Sequence, residues 1–447
     1  MVYFIKSLYL NIRFYYSIGI IALLFFLSYF FGFLYYITQL ALGILILLTL
    51  VDIALLYIIK NGISATRIVS DKFSNGDQNP IHINVQNHYT FDIKTEIIDE
   101  IPVEFQIRDF KEITSLKLKE EKTITYYLRP TRRGLYSFGK INIFVSTTKL
   151  SLVTRRYFIE TSIHQDIPCY PSFIQLKKYD LLAFSQTLTE TGLKRIRRIG
   201  SSSEFDQIKD YVKGDDIRHI NWKATAKRSQ LMVNQFVEEK SQSIYSMIDT
   251  GRSMKMPFNE MTLLDYAINS SLVISSIALK KEDKAGLATF STSLSDLVVA
   301  DRRNNQMHLI QQALYNIETD FKETDFGRLY VYLKHKIPYR SLLFLYSNFE
   351  TLDSLKRQLK YLKAINKNHL LIVILFNNSE LGQLTQKKSR HIHHVYDKTL
   401  AEKFIYEKKL IEKELKKNGI LTILTDPDDL TVNTINQYLE IKSKNLL

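Results

Sequence analysis

The sequence predicts a multi-domain fold: an N-terminal transmembrane helical hairpin (residues 1–60), an all-β sandwich (61–168), a signature segment (169–240), and an α/β doubly wound domain (241–447). Three observations predict it. Two apolar runs, each about twenty residues long, open the chain. Period-two alternation then takes over, broken by Asn, Asp, Gly and Pro turns. In the second half, short apolar runs alternate with amphipathic helical stretches, the pattern of a mainly parallel sheet covered on both faces.

Bulk properties narrow the function classes. The chain has 447 residues, room for two or three domains that each bury a core. Cys169 is the only cysteine, so no internal disulfide forms and nothing points to an oxidising compartment. The formal charge is +14, but Lys and Arg are spread along the chain rather than gathered in one tract. That distribution fits a soluble face near an anionic membrane surface and gives no support to nucleic-acid binding.

The first apolar run, Tyr15 to Leu34, has only Ser and Gly among its non-apolar members. The second, Ile37 to Ile59, is interrupted by Thr38, Gln39, Thr49 and Asp52. Each is long enough to cross a hydrocarbon core of about 30 Å. A cleaved signal peptide has a shorter apolar centre and no second span directly behind it. The turn is placed at Tyr35-Tyr36. Lys6 and Arg13 precede the pair and Lys60, Arg67 and Lys72 follow it, so the positive-inside rule puts both termini in the cytoplasm of a two-pass protein of the bacterial inner membrane. Asp52 is a candidate intramembrane functional group, with packing against the first helix the favoured reading.

Alternation at Ile81–Val85, Phe91–Ile98, Thr123–Leu128 and Lys140–Val145 gives an antiparallel, immunoglobulin-like sandwich, suited to spacing or docking rather than chemistry. Arg129 to Tyr136 reads as a basic tight turn with Gly134 at positive φ. Cys169-Tyr170-Pro171 closes the sandwich. The run Lys194-Arg195-Ile196-Arg197-Arg198 is a solvated face or a contact for lipid headgroups or an acidic partner.

Beyond residue 240, strands are expected at Ser243–Asp249, Ala285–Phe290, Asp296–Val299, Ser341–Tyr346, Leu370–Phe376 and 419–424. Helices are expected at Thr262–Lys280, Gln306–Glu318, Phe326–Lys336, Leu352–Ile365, Leu400–Lys417 and Leu430–Ile441. The first strand stops at Asp249-Thr250-Gly251-Arg252-Ser253-Met254. An acid followed by glycine and hydroxyl residues at a strand end commonly builds an α/β site.

The stretch before that strand carries Lys209, Tyr211, Gly214-Asp215-Asp216, Arg218, Asn221-Trp222-Lys223 and Lys227-Arg228. Asp216 is placed as a helix N-cap ahead of Ile217, Ile220 and Ala224. Arg218 and Lys223 are possible partners for Asp215 or for the Asp249 edge, and Trp222 is read as a packing anchor. Together these residues suggest a buried polar network or a partner surface.

From Lys209-Asp210-Tyr211 through Ile220-Asn221-Trp222-Lys223-Ala224-Thr225-Ala226-Lys227 to Asp249, Ser253 and Met254, the chain resembles the MoxR-associated family with a von Willebrand factor A-like domain, catalogued as domain of unknown function 58. Arg133-Gly134-Leu135-Tyr136 is similar to a further hallmark of that family. Two family arginines stand here as Lys209 and Lys227, which keep the charge but lose the planar donor pair. The resemblance implies a von Willebrand A-like fold for the last domain and cooperation with a MoxR-class AAA+ ATPase.

It also implies a metal-dependent edge site, in which a small hard cation takes hydroxyl and water ligands and a partner's acid completes the shell. Asp249, Ser253 and Thr324 occupy three of its positions. Gly251 replaces a ligating serine, and Asn348, after Ser347, replaces an aspartate. One side-chain charge then remains against two on Mg²⁺, so at most a weak site at Asp249, Ser253 and Thr324 is expected, with no cofactor otherwise. If the geometry is intact, serine at 251 and aspartate at 348 are together expected to restore binding.

Enzyme signatures are scarce: there is no Gly-x-Ser-x-Gly elbow, Walker loop or His-Glu-x-x-His. His391-Ile392-His393-His394 lacks partners at a known metal spacing and reads as a surface loop or strand edge. The favoured function is a membrane-anchored cytoplasmic adaptor or scaffold, not an enzyme, that binds a MoxR-class ATPase and other proteins in assembly, activation or remodelling. The alternatives are a hydrolase using Asp215, Asp216 and Asp249, and a metal-dependent adhesion module.

Overall fold

The structure, a computed structural model, describes residues 2–159, 165–172, 203–212, 220–228, 230–238, 241–319, 321–386 and 391–444, with Ile174, Asp215, Ile217 and Leu446. The chain forms two compact units, Met1–Tyr170 and Pro171–Leu447.

The first unit begins with a short helix, Val2–Ser7, and strand β1 (Leu8–Leu10), followed by the apolar helices α1 (Ile12–Ser28) and α2 (Phe33–Ile58). The turn between them lies at residues 29–32, so Tyr35 and Tyr36 sit in the first turn of α2 instead of linking the helices. Inward-facing Thr38, Leu45, Thr49, Asp52 and Leu56 recur at helical spacing on α2. Thr38 and Thr49 donate to Tyr35 O and Ile46 O within their own helix, which satisfies two hydroxyls in an apolar segment.

The strands that follow are β2 (Ile63–Ile68), β3 (Phe73–Ser74), β4 (Asn79–Asn87), β5 (Ile93–Asp99), β6 (Glu112–Leu116), β7 (Glu121–Leu128), β8 (Gly134–Phe138), β9 (Ile141–Thr147), β10 (Val153–Ile159) and β11 (Gln165–Tyr170). They make the sheets β1-β10-β9-β5-β6 and β2-β4-β7, whose inner faces share one core containing Ile83, Val85, Ile97 and Ile143. A third sheet, β3-β11-β8, includes a parallel pair, β3 with β11, which the antiparallel expectation did not include. Gly134 has φ of 141°, as its turn requires. Arg67 is buried in an ion pair with Asp99, which Tyr126 joins.

Asp52 does not serve mainly to pack α2 against α1. Its buried carboxylate holds the β9–β10 turn: Oδ1 accepts from Thr147 Oγ1 at 2.7 Å, and Oδ2 accepts from the Leu152 and Val153 N–H groups, both at 2.9 Å. Asn11 grips the same turn from the other helix. Its N–H donates to Leu152 O at 2.9 Å, its Nδ2 donates to Ser151 Oγ at 2.9 Å, and its Oδ1 accepts from the Ile12 N–H at the start of α1. Arg155 caps the far end of α2, donating to Ile59 O at 2.8 Å and Lys60 O at 2.9 Å. Both ends of the helix pair are thus tied to one sheet.

In the second unit, β12 (Ser203–Asp210) and β13 (Met232–Glu238) form an antiparallel pair with helix α3 (Trp222–Arg228) between them. The remainder runs β14 (Ser243–Asp249), α4 (Leu263–Lys280), β15 (Lys284–Phe290), β16 (Leu294–Asp301), α5 (Gln306–Tyr315), α6 (Phe326–Lys336), β17 (Leu342–Tyr346), α7 (Leu352–Asn368), β18 (Leu370–Phe376), α8 (Ser379–Gln386), α9 (Ile392–Lys417), β19 (Leu421–Thr425) and α10 (Leu430–Ser443). The sheet order is β16-β15-β14-β17-β18-β19, parallel except for the β15–β16 pair.

Both faces of this sheet are buried, which explains its nearly unbroken apolar strands. Ile244 and Ile248 of β14, with Phe344 and Ile374, pack toward α4, α5 and α10. Tyr245 and Met247, with Leu345 and Val373, pack toward α6, α7 and α9. From β14 the chain first builds β15 and β16 on one side, then returns to lay β17 on the other. The order therefore reverses between β14 and β17, and the crevice at their carboxyl ends is where ligands bind in open α/β sheets.

Candidate functional site at the sheet edge

Asp249 is the last residue of β14, and Ser347 and Asn348 directly follow β17, so the sheet itself brings them to the switch point. Thr324 comes from the loop before α6. That loop is positioned by Asp325, which caps α6 by accepting from the Gly327 and Arg328 N–H groups at 2.9 and 3.1 Å. The Arg252 N–H donates to Lys322 O at 3.1 Å and joins the two loops.

Asp249 is only 1% exposed. Its Oδ1 accepts from the Gly251 N–H at 2.8 Å and the Thr324 hydroxyl at 2.6 Å, and its Oδ2 accepts from the Ser347 hydroxyl at 2.6 Å. Desolvation pushes the carboxyl above its usual range, and the three donors oppose that shift without cancelling it. This acid lies under an open pocket of about 240 Å³ with Ser253, Thr324, Ser347 and Asn348 in its lining and Arg252, Lys322, Glu323, Glu350 and Arg357 exposed around it.

Two functional groups escaped the sequence reading. Ser347 is a direct partner of Asp249 rather than a spacer before Asn348. Lys408 of α9 donates to Asn348 Oδ1 and to Phe349 O, the latter at 2.7 Å, and so fixes the loop after β17. Burial pushes its ammonium down to about 8, against a raising effect from Glu350. The available signal was its position: Lys408 falls on the inward stripe Ala401, Ile411, Leu415 of an otherwise amphipathic helix.

The donor set does not fit a divalent ion. Asp249 is already engaged by three donors, and Asn348, in the second acidic position, faces an ammonium. Among the described residues no cluster of three His, Cys, Asp or Glu could hold a metal. Gly251 leaves little room for a side chain: a Cβ there would meet Thr324 Oγ1 and lie 2.9 Å from Asp249 Oδ1. Serine at 251 would require the Thr324 hydroxyl to shift, and aspartate at 348 would face the Lys408 ammonium, so the geometry on which restoring a site depends is not kept. The double variant Gly251→Ser, Asn348→Asp is expected to show no Mg²⁺ binding tighter than millimolar by calorimetry on the full chain; a micromolar isotherm would contradict this geometry.

The signature segment is only partly placed. Gly214, Asp216 and Arg218 lie outside the described residues, as does the basic run Lys194 to Arg198. Asp215 pairs with Lys209 at 2.9 Å and accepts from the Val212 N–H at 3.0 Å, and the Lys209 bond is the main reason its carboxyl titrates below the usual range. It does not line the pocket above Asp249. Tyr211 is half-buried, with its N–H donating to Leu231 O at 2.8 Å, and Lys227 is exposed in the last turn of α3. Trp222 is 69% exposed, so it is not the packing anchor its size suggested. Asn221 instead organises this segment, capping α3 through the Ala224 N–H and bonding Asn234 at 2.9 Å. His391 precedes α9 and His393 and His394 lie in its first turn, all exposed, rather than in a loop or strand edge.

Over 193 residues the chain is 24% identical to a protein described as uncharacterized protein YeaD of Bacillus subtilis (strain 168), a match covering 43% of this chain and 45% of that one. The chain thus spans less than half the length of the curated relative it matches. Among solved structures, the conserved hypothetical protein BatB of Bacteroides thetaiotaomicron aligns with 13% identity and a TM-score of 0.31, covering 46% of this chain and 100% of that chain. The CARDB domain of PF1109 from Pyrococcus furiosus aligns with 18% identity and a TM-score of 0.16, covering 22% of this chain and 94% of that chain. Residues 207–385, which include Asp215, Trp222, Asp249, Thr324 and Asn348, match the family model described as protein of unknown function DUF58.

Proposed function

We propose that the chain is a membrane-anchored, metal-independent adaptor whose von Willebrand A-like unit captures a partner protein at the β14–β17 edge. The observation that carries this reading is Asp249: a buried acid under an open polar pocket, held by hydroxyls at the switch point of the sheet. Partner side chains would exchange hydrogen bonds with this preformed set. The exposed Arg252, Lys322, Glu323 and Arg357 would select for charge.

Two features support a two-pass anchor. Asn11 and Asp52 grip the same β9–β10 turn, so the helix pair leaves and re-enters the sandwich from one side. With the segment from Asp52 onward engaged by the sandwich, Phe33 to Val51 remains for the bilayer, roughly 28 Å of helix and close to a hydrocarbon core. Lys6 and Arg13 before the pair, with Lys60, Arg67 and Lys72 after it, favour the cytoplasm for both ends.

The partner implied by the family resemblance is a MoxR-class AAA+ ATPase, which would supply the nucleotide chemistry. Cross-linking in native membranes followed by capture of the full chain is expected to enrich such an ATPase. Capture of other proteins without it would contradict this assignment. The enzyme alternative requires Asp215, Asp216 and Asp249 in one pocket, and Asp215 is instead engaged with Lys209.

A further inference from the structure

The α/β unit holds a second cavity, of about 390 Å³, between the loop after β14, the end of β18, and helices α8 and α9. It shares Asn348 and Glu350 with the edge pocket but has a different character. Phe258, Leu263, Phe376, Leu381 and Ile405 supply apolar walls, and Lys408 is the only cation among its lining residues. Phe258, Leu263 and Phe376 are each 3% exposed, so these walls are fixed by the core.

Lys408 lines this cavity, and its ammonium donates to Asn348 Oδ1 and Phe349 O. An ammonium carries three N–H donors, so two are committed to the loop. Glu350 is exposed and acts on the charge only at a distance. The charged residues of its lining are Lys408 and the exposed Glu350, and a mostly apolar cavity with a few polar groups is the usual construction of a small-molecule site. A lone cation among apolar walls suits a monoanion with an apolar body; a phosphate group, with more charge to neutralise, would want further cations.

We propose that this cavity binds a small apolar monocarboxylate, with its body among Phe258, Leu263, Phe376, Leu381 and Ile405 and its carboxylate on the Lys408 ammonium. Because Lys408 also holds Asn348 and Phe349, occupancy would reach the loop that forms one side of the edge pocket. The site stands apart from the adaptor reading, which can fail without affecting it.

The test uses the full chain in lipid nanodiscs, with empty nanodiscs as the blank, and two water-soluble probes of matched shape: 4-phenylbutanoate and 4-phenylbutanamide. Calorimetry is expected to give a Kd about tenfold lower for the acid than for the amide, which corresponds to about 1.4 kcal/mol. Lys408→Met should bring the acid to the level of the amide, and Ile405→Trp should abolish binding of both. No binding of either probe at millimolar concentration would overturn the proposal, as would equal affinities in the unsubstituted chain or a preference that survives Lys408→Met. The acid–amide comparison decides the matter even if Lys408→Met does not fold.

Discussion

Replacing Asp52 by alanine is expected to destabilise the first unit by about 2–5 kcal/mol, because two buried backbone donors lose the carboxylate that accepts from them. Those donors are the Leu152 and Val153 N–H groups, both on Asp52 Oδ2, and the Thr147 hydroxyl loses the acceptor for its proton while still accepting from the Ser151 N–H. The β9–β10 turn would then separate from α2 and open to protease near Ser151. Asp52→Asn separates geometry from charge. An amide oxygen can accept from both N–H groups while its nitrogen donates to the Thr147 hydroxyl, so this variant should stay within about 1 kcal/mol of the parent. Thermal unfolding in detergent, read with limited proteolysis, distinguishes the two. Equal loss in both variants would mean that the negative charge, rather than the bonding pattern, is what matters at this position.

The second large effect concerns Asp249, where asparagine is expected to stabilise the fold while abolishing partner capture. Burial raises the folded-state pKa of this carboxyl above its unfolded value. The folded protein therefore bears the cost of the charged form at pH values above the raised pKa. That cost falls as the pH drops toward the unfolded carboxylate value. The Asp249→Asn change would remove it, so the variant should melt higher than the parent at pH 7–8. The difference should shrink as the pH falls into the carboxylate range. A variant less stable than the parent at pH 8 would show instead that Asp249 serves the fold. An acid kept at a cost to stability is the pattern expected of a binding group.

Much of this architecture is legible in the residues themselves. The bounds of β14, β18 and α6 read directly because strands buried on both faces are continuously apolar and α6 has a clear helical period. Asp249 and Thr324, both singled out in the sequence, meet through a hydrogen bond of 2.6 Å. What could not be read depends on contacts distant in sequence. Ser347 and Asp249 are joined only because β14 and β17 are neighbours, and Lys408 reaches Asn348 across sixty residues of chain. The exposed first turns of α9, with Ile392, Val395 and Tyr396 outward, blurred its amphipathic start. In β2, the sequence Ile63–Ile68 mixes Ser, Thr and Arg67, whose charge is absorbed by a partner thirty-two residues away. Asp52 looked like a membrane anomaly because its acceptor role becomes visible only when β9 and β10 are in place.

The central claim is that the pocket above Asp249 is a partner surface that works without metal. A photo-cross-linking residue at Arg357, on the exposed margin of that pocket, tests it most directly in native membranes with and without EDTA. The predicted result is a discrete cross-linked protein adduct, unchanged by EDTA and lost when Asp249→Asn is added. An adduct that disappears with EDTA, or one that persists in the Asp249→Asn chain, would contradict the account.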